Sequence, residues 1–291
     1  MELQWPLILF TTLCAWSCGV FGTQGILALD GRAKKSQMSA LITSIVLLAA
    51  SGIAVFFHLR HWERIFNGFG HITSGITQEL IAIIVFVVIA VVYFVFLRKS
   101  EDGSVPKWLA VCAIVIAFVL VAVCAHSYMM AARPAWDTVL EVASIMGAAC
   151  LLGPATLAVI MAVCGDELRP AGLPAVVGAA ICLVCNAAYG IYLQMCGGGF
   201  SSVGYYYDPT HPTKAMVDAA VTAGDQTSLI WLGAVVVGAV VPLVCALVAR
   251  KKGDANSWKV FGMVAVVTAV VGAICLRVAF YNLGLSSFLY Y

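Results

Sequence analysis

The sequence predicts an all-α integral membrane protein, a bundle of eight transmembrane helices, and three observations predict it. Hydrophobic residues make up 63% of the 291 residues, charged residues 10%, and the mean hydropathy is +1.01. That composition leaves too little polar surface to coat a water-soluble globule. Eight runs reach the ~20 mainly apolar residues that a bilayer-crossing helix needs. They lie at 6–29, 38–58, 76–97, 107–131, 139–163, 173–196, 228–249 and 259–283, and mostly short polar links join them into one membrane domain over 1–291. The net charge of +2 is spread over the links without a basic block, which argues against nucleic acid as a partner.

Each run carries its own signal. The first is preceded by Glu2 and no basic residue, is too long for a secretory leader, and is followed by positive charge, so it reads as a retained span. The second ends at His58, and the third opens at Glu79. The fourth holds His126 and the fifth Gly153-Pro154. The sixth contains Cys182-Leu-Val-Cys185, one CxxC without a second pair. Most of the 11 cysteines sit inside apolar runs, where they read as small packing residues. Residues 197–227 form the long link, with Gly197-Gly198-Gly199, Tyr205-Tyr206-Tyr207, Pro209 and Pro212. The seventh run contains Pro242, and the eighth contains Arg277.

Orientation follows from the basic residues. Links after odd-numbered spans hold eleven: Arg32, Lys34, Lys35, Arg98, Lys99, Lys107, Arg169, Arg250, Lys251, Lys252 and Lys259. Links after even-numbered spans hold four: Arg60, Arg64, Arg133 and Lys214. The positive-inside bias then puts both termini, the 58–75 link and the 197–227 link outside the cytoplasm.

One stretch stands out chemically. "FFHLRHWERIFNGFGH" at 56–71 packs three histidines, two arginines and a glutamate between apolar runs. His58 and Glu79 are expected at similar depth near the outer face, and ionisable groups at membrane helix ends are candidates for function. Two readings fit them. In one they are solvated at the wet interface, with Glu63 and Arg64 touching lipid headgroups and Trp62 and Phe69 in an aromatic belt. In the other they serve quinol oxidation. A neutral imidazole accepts a hydroxyl proton, the Glu79 carboxylate relays it outward, and Phe56, Phe57 and Phe66 wall the ring. Haem wants two facing inward histidines, and here only His126 is expected inside a span. No haem, flavin or iron–sulfur motif is evident, so the electrons must pass to a partner.

"ELQWPLILFTTL" at the N-terminus, "HLRHWERIFNGFGHITSGITQELI", "PAW" at 134–136, "LLGPA" at 151–155 and "RVAFYNLG" at 277–284 together resemble the membrane anchor subunit of dimethyl sulfoxide reductase, the DmsC family. The resemblance spans the whole chain. It implies a non-catalytic anchor in the bacterial cytoplasmic membrane that oxidises menaquinol and carries no haem. A four-cluster iron–sulfur subunit and a molybdopterin catalytic subunit would sit on it. It also implies that His58, Arg64, Phe66, Asn67 and Glu79 bind the quinol, His58 and Glu79 handling its protons. Arg60 stands where the family has glycine, and His61-Trp62 where it has Ser-Pro. Arg133, Arg277 and Tyr205 in the long link are the expected docking contacts, Arg277 alternatively pairing within the bundle. Two other classes are distinguishable: a secondary transporter with helices broken at Gly153-Pro154 and Pro242, and an anchor that binds haem.

Overall fold

The computed structural model describes residues 3–58, 61, 67, 69–199, 201, 206–208, 211–212 and 217–287. Among these, eight helices are long and apolar enough to cross a membrane. They are α1 (Trp5–Leu29), α2 (Gln37–Phe56), α3 (Gly75–Lys99), α4 (Lys107–His126), α5 (Val139–Cys164), α6 (Arg169–Cys196), a π-helical stretch (Ser228–Val240) that runs into α8 (Val241–Lys252), and α9 (Ala255–Asn282). Between α6 and the π-helical stretch lie a short hairpin, β1 (Tyr206–Asp208) and β2 (His211–Pro212), and the two-turn α7 (Ala219–Asp225).

Helix ends follow local chemistry. Thr138, Asp218 and Asp254 cap α5, α7 and α9, their side-chain oxygens accepting from backbone N–H groups of the first turn. Gly165 and Gly253, at φ +73° and +72°, end α5 and α8 in the left-handed conformation that glycine adopts without strain. The lysine- and arginine-rich end is tied together by its turns. Asp166 accepts from the Ser36 N–H and hydroxyl at 2.8 and 2.5 Å, and Lys34 meets Asp102 at 2.5 Å. The Lys34 ammonium holds the exposed Asp102 carboxyl well below the usual carboxylate range.

Helix α1 is central, packed on α2, α4 and α5. It is the least hydropathic span, at 1.5, and 61% of that window is buried, whereas α3 at 3.4 is the most hydropathic and only 28% buried. Lipid accepts aliphatic side chains without penalty, so the greasiest helix faces outward, while helix contacts favour small and hydrogen-bonding residues. Gln24 of α1 donates to Gln37 Oε1 at 3.0 Å and Tyr93 of α3 donates to the same oxygen at 2.8 Å. Ser17 donates to the Ser44 carbonyl at 2.8 Å, and Trp16 to Thr156 at 2.8 Å. At the α1–α5 crossing Gly19 faces Gly153, and a Cβ on Gly153 would lie 2.1 Å from the Gly19 carbonyl oxygen.

Helix ends shift by a few residues from the expected spans, and two differences are larger. Span four was expected to reach 131 with His126 inside it, but α4 stops at His126, which is exposed. The apolar run Met129–Ala132 that prolonged the hydropathic signal is used in a turn, where the Ala132 carbonyl accepts from the Ser287 N–H at 2.9 Å. The seventh span is not α-helical throughout, since Ser228–Val240 has π geometry. There Gly233 and Gly238 approach Cys275 and Gly272 of α9 closely enough that a Cβ on either would collide.

Candidate functional site

His58 follows the last turn of α2, its N–H donating to the Val55 carbonyl at 2.9 Å, and its side chain is exposed. Phe56 and Phe57, the expected ring walls, are exposed as well. Glu79 sits in the second turn of α3 and is half-buried. Its carboxylate accepts from the Ser127 hydroxyl just past the end of α4, and Ser127 also reaches the Cys124 carbonyl at 2.9 Å. The approach is set by Gly75, because a Cβ there would lie 2.8 Å from Ser127 Cβ. The carboxylate therefore sits at the junction of α3 with the end of α4, with Ser127 as its hydrogen-bond partner.

Asn67 is exposed, as are His61, His71 and His126. Arg64, Phe66, Trp62, Glu63 and Tyr205 lie outside the described residues. Arg133 is half-buried, its guanidinium 4.3 Å from the centre of the Trp136 ring. Arg277, expected either as a docking contact or as a partner within the bundle, takes the second place. It is 6% exposed and donates to Glu141 at 2.8 Å inside the bundle, with the Phe280 and Tyr128 rings at 4.7 and 5.7 Å. A guanidinium so enclosed presents nothing to a partner protein.

That ion pair belongs to a polar interior which the sequence reading did not contain. Glu141 opens α5 and is fully buried. Next to it a cavity of about 30 Å³ is lined by Thr12, Ser144, Asn186, Tyr189 and Arg277, enough for about one or two waters. Thr12 Oγ1, Asn186 Oδ1 and Arg277 Nη2 are buried beside it without a partner among the described residues. Over the pair lies an aromatic lid, with Trp136 stacked on Phe280 at 4.5 Å and 8° and donating to the Phe280 carbonyl at 2.7 Å. The available signal was one acidic and one basic residue inside two apolar runs, for which a mutual pair is the default arrangement.

The family model for the DMSO reductase anchor subunit (DmsC) matches residues 1–283, essentially the whole chain. The chain belongs to that family. Membership accords with the eight-helix architecture and makes the protein a multi-pass membrane anchor. Among solved structures this DmsC-family chain is similar to one in the bd oxidase from Geobacillus thermodenitrificans, with a TM-score of 0.57, 14% identity, and coverage of 98% of this chain and 88% of that chain. At that identity the likeness speaks for the fold alone. A search of curated proteins gives no match.

Proposed function

We propose that this chain anchors a DMSO reductase-type complex in the bacterial cytoplasmic membrane and oxidises menaquinol at the end that carries His58 and Glu79. Family membership supports the anchor role. The observation that carries the chemistry is the Glu79 carboxylate held by Ser127 at the mouth of the bundle. Each menaquinol that becomes menaquinone releases two protons and two electrons. The exposed imidazole of His58 takes a hydroxyl proton, and Glu79 passes protons on. Ser127 has a single hydroxyl hydrogen and two acceptors, Glu79 and the Cys124 carbonyl. When Glu79 is charged, Ser127 donates to it; when Glu79 is protonated, Ser127 turns to Cys124 and accepts from the acid. Both protonation states are thereby hydrogen-bonded without backbone movement.

The electrons leave to a docked four-cluster iron–sulfur subunit, which supplies a molybdopterin subunit. The excess of Lys and Arg at the opposite end supports a cytoplasmic position for that end, with both termini outside and the quinol end facing outward. Docking is assigned to Arg133 and the 197–227 link, with Tyr205, and binding of the ring to Arg64, Phe66 and Asn67. Protons released where they are produced move no charge across the membrane, so the subunit does not pump. Replacing His58 by Ala is expected to leave the complex assembled and to slow menaquinol-dependent reduction of the clusters by at least ~100-fold, the scale of lost general-base catalysis. Unchanged reduction kinetics would take His58 out of the mechanism.

A further inference from the structure

The lysine- and arginine-rich end holds a second, unrelated feature. A cleft of about 1020 Å³ is lined by Arg32 beyond α1, Arg169 at the start of α6, Arg250 in the last turn of α8, and the buried Trp258 of α9. Three arginines from separate parts of the chain line it, against one acidic residue, Glu167. Of the nearby lysines, Lys34 is engaged with Asp102 at 2.5 Å and Lys252 lies over the Phe261 ring at 5.2 Å. Arg32 keeps only a loose contact with Asp30 at 3.7 Å. Gly172 lets the Arg250 stem and the Trp258 ring close on α6, since its Cβ position lies 3.3 Å from Arg250 Cγ and 3.4 Å from Trp258 Cζ2.

The cleft does not end at the interface. Pro174 lines it and also lines an apolar groove of about 300 Å³. From Pro174 the groove follows Val177, Gly178 and Ile181 along α6, facing Ile26 and Gly22 of α1 and Phe118 of α4. Val177, Ile181 and Phe118 are exposed on the membrane-facing surface. One ligand has a strongly anionic head at the depth of helix ends and an aliphatic chain descending into the hydrocarbon from the same point. Basic clefts between spanning helices on the positively charged side take anionic lipid headgroups, and arginine forks match phosphate oxygens bidentately.

The geometry points to a specific binding site for an anionic phospholipid, its phosphate between Arg32, Arg169 and Arg250 and one acyl chain in the α1–α4–α5–α6 groove. The site is independent of quinol chemistry at the other end. It also has a structural use, because the chain fills the groove that α4, α5 and α6 line beside the central α1.

The test uses the full chain purified in neutral detergent and native mass spectrometry with phosphatidylglycerol and phosphatidylcholine of identical acyl chains. Phosphatidylglycerol is expected to bind about tenfold more tightly. The double variant Arg169→Gln/Arg250→Gln is expected to erase that preference, while Lys251→Gln/Lys259→Gln retains it. Val177→Trp, which fills the groove, is expected to weaken the long-chain lipid, and glycerol phosphate is expected not to displace it. Equal binding of the two lipids, an unchanged preference in the arginine variant, or equal loss in the lysine variant would overturn the proposal. So would displacement by glycerol phosphate at the concentrations effective for the lipid, which would mark a site for free phosphate esters.

Discussion

Replacing Arg277 with Met is expected to destabilise the bundle more than any other side-chain truncation. Glu141 is fully buried, and its partner lies 2.8 Å away at 7% side-chain exposure. Removing one member of a buried ion pair leaves an uncompensated charge, at a cost of about 3–5 kcal/mol. Glu141→Gln should be milder. The arginine left behind keeps the faces of Phe280 and Tyr128 at 4.7 and 5.7 Å, and a cation over aromatic rings is partly compensated. The double variant Glu141→Gln/Arg277→Met removes both charges together, so it should be less destabilised than the sum of its two singles. Thermal midpoints of the four proteins in one detergent test this. Additive losses would mean that the pair is not coupled.

Replacing Gly153 with Leu is expected to prevent assembly of the bundle. The Cβ at Gly153 would sit 2.1 Å from the Gly19 oxygen and 2.3 Å from its carbon, and Gly19 meets the Ala149 oxygen at 2.2 Å in the same way. These obstacles are backbone, so no rotamer change relieves them, and α1 and α5 must separate along the most buried seam of the protein. Close approach at paired small residues is a main source of helix association in lipid. The matched control is Gly52→Ala in α2, where nothing lies within 4 Å of the Cβ position. That variant should accumulate and elute like the parent, whereas Gly153→Leu should be degraded or elute as aggregate. A monodisperse Gly153→Leu with an unchanged thermal midpoint would show that the crossing is not as tight as described.

The spanning helices were legible because length and hydropathy are enforced by the bilayer itself, whatever the helices pack against. Their arrangement was written more faintly. The low hydropathy of α1 is a sign of its central place, yet it arises from Ser17, Thr23 and Gln24, residues that in isolation look like defects in a span. The end of α4 was misplaced because Met129–Ala132 are as apolar as a helix interior while serving in a turn. The π geometry of Ser228–Val240 left no trace, since an apolar run has the same composition in either helix. Glu79 was legible as a carboxylate at a helix mouth, but its Ser127 partner was not, being 48 residues away in the chain. Glu141 was missed and the place of Arg277 left open for one shared reason: each is explained only by the other, 136 residues distant.

The most direct test of the quinol-oxidation account is the rate at which menaquinol reduces the iron–sulfur clusters of the assembled complex when Glu79 is replaced by Gln. The amide keeps the size of the side chain and can still accept from Ser127, so assembly and quinol affinity should hold. Reduction should nonetheless slow by roughly 100-fold or more, because an amide cannot take up and release the proton. Reduction at the parental rate in an intact Glu79→Gln complex would contradict the account and move the proton-accepting chemistry away from this end of the bundle.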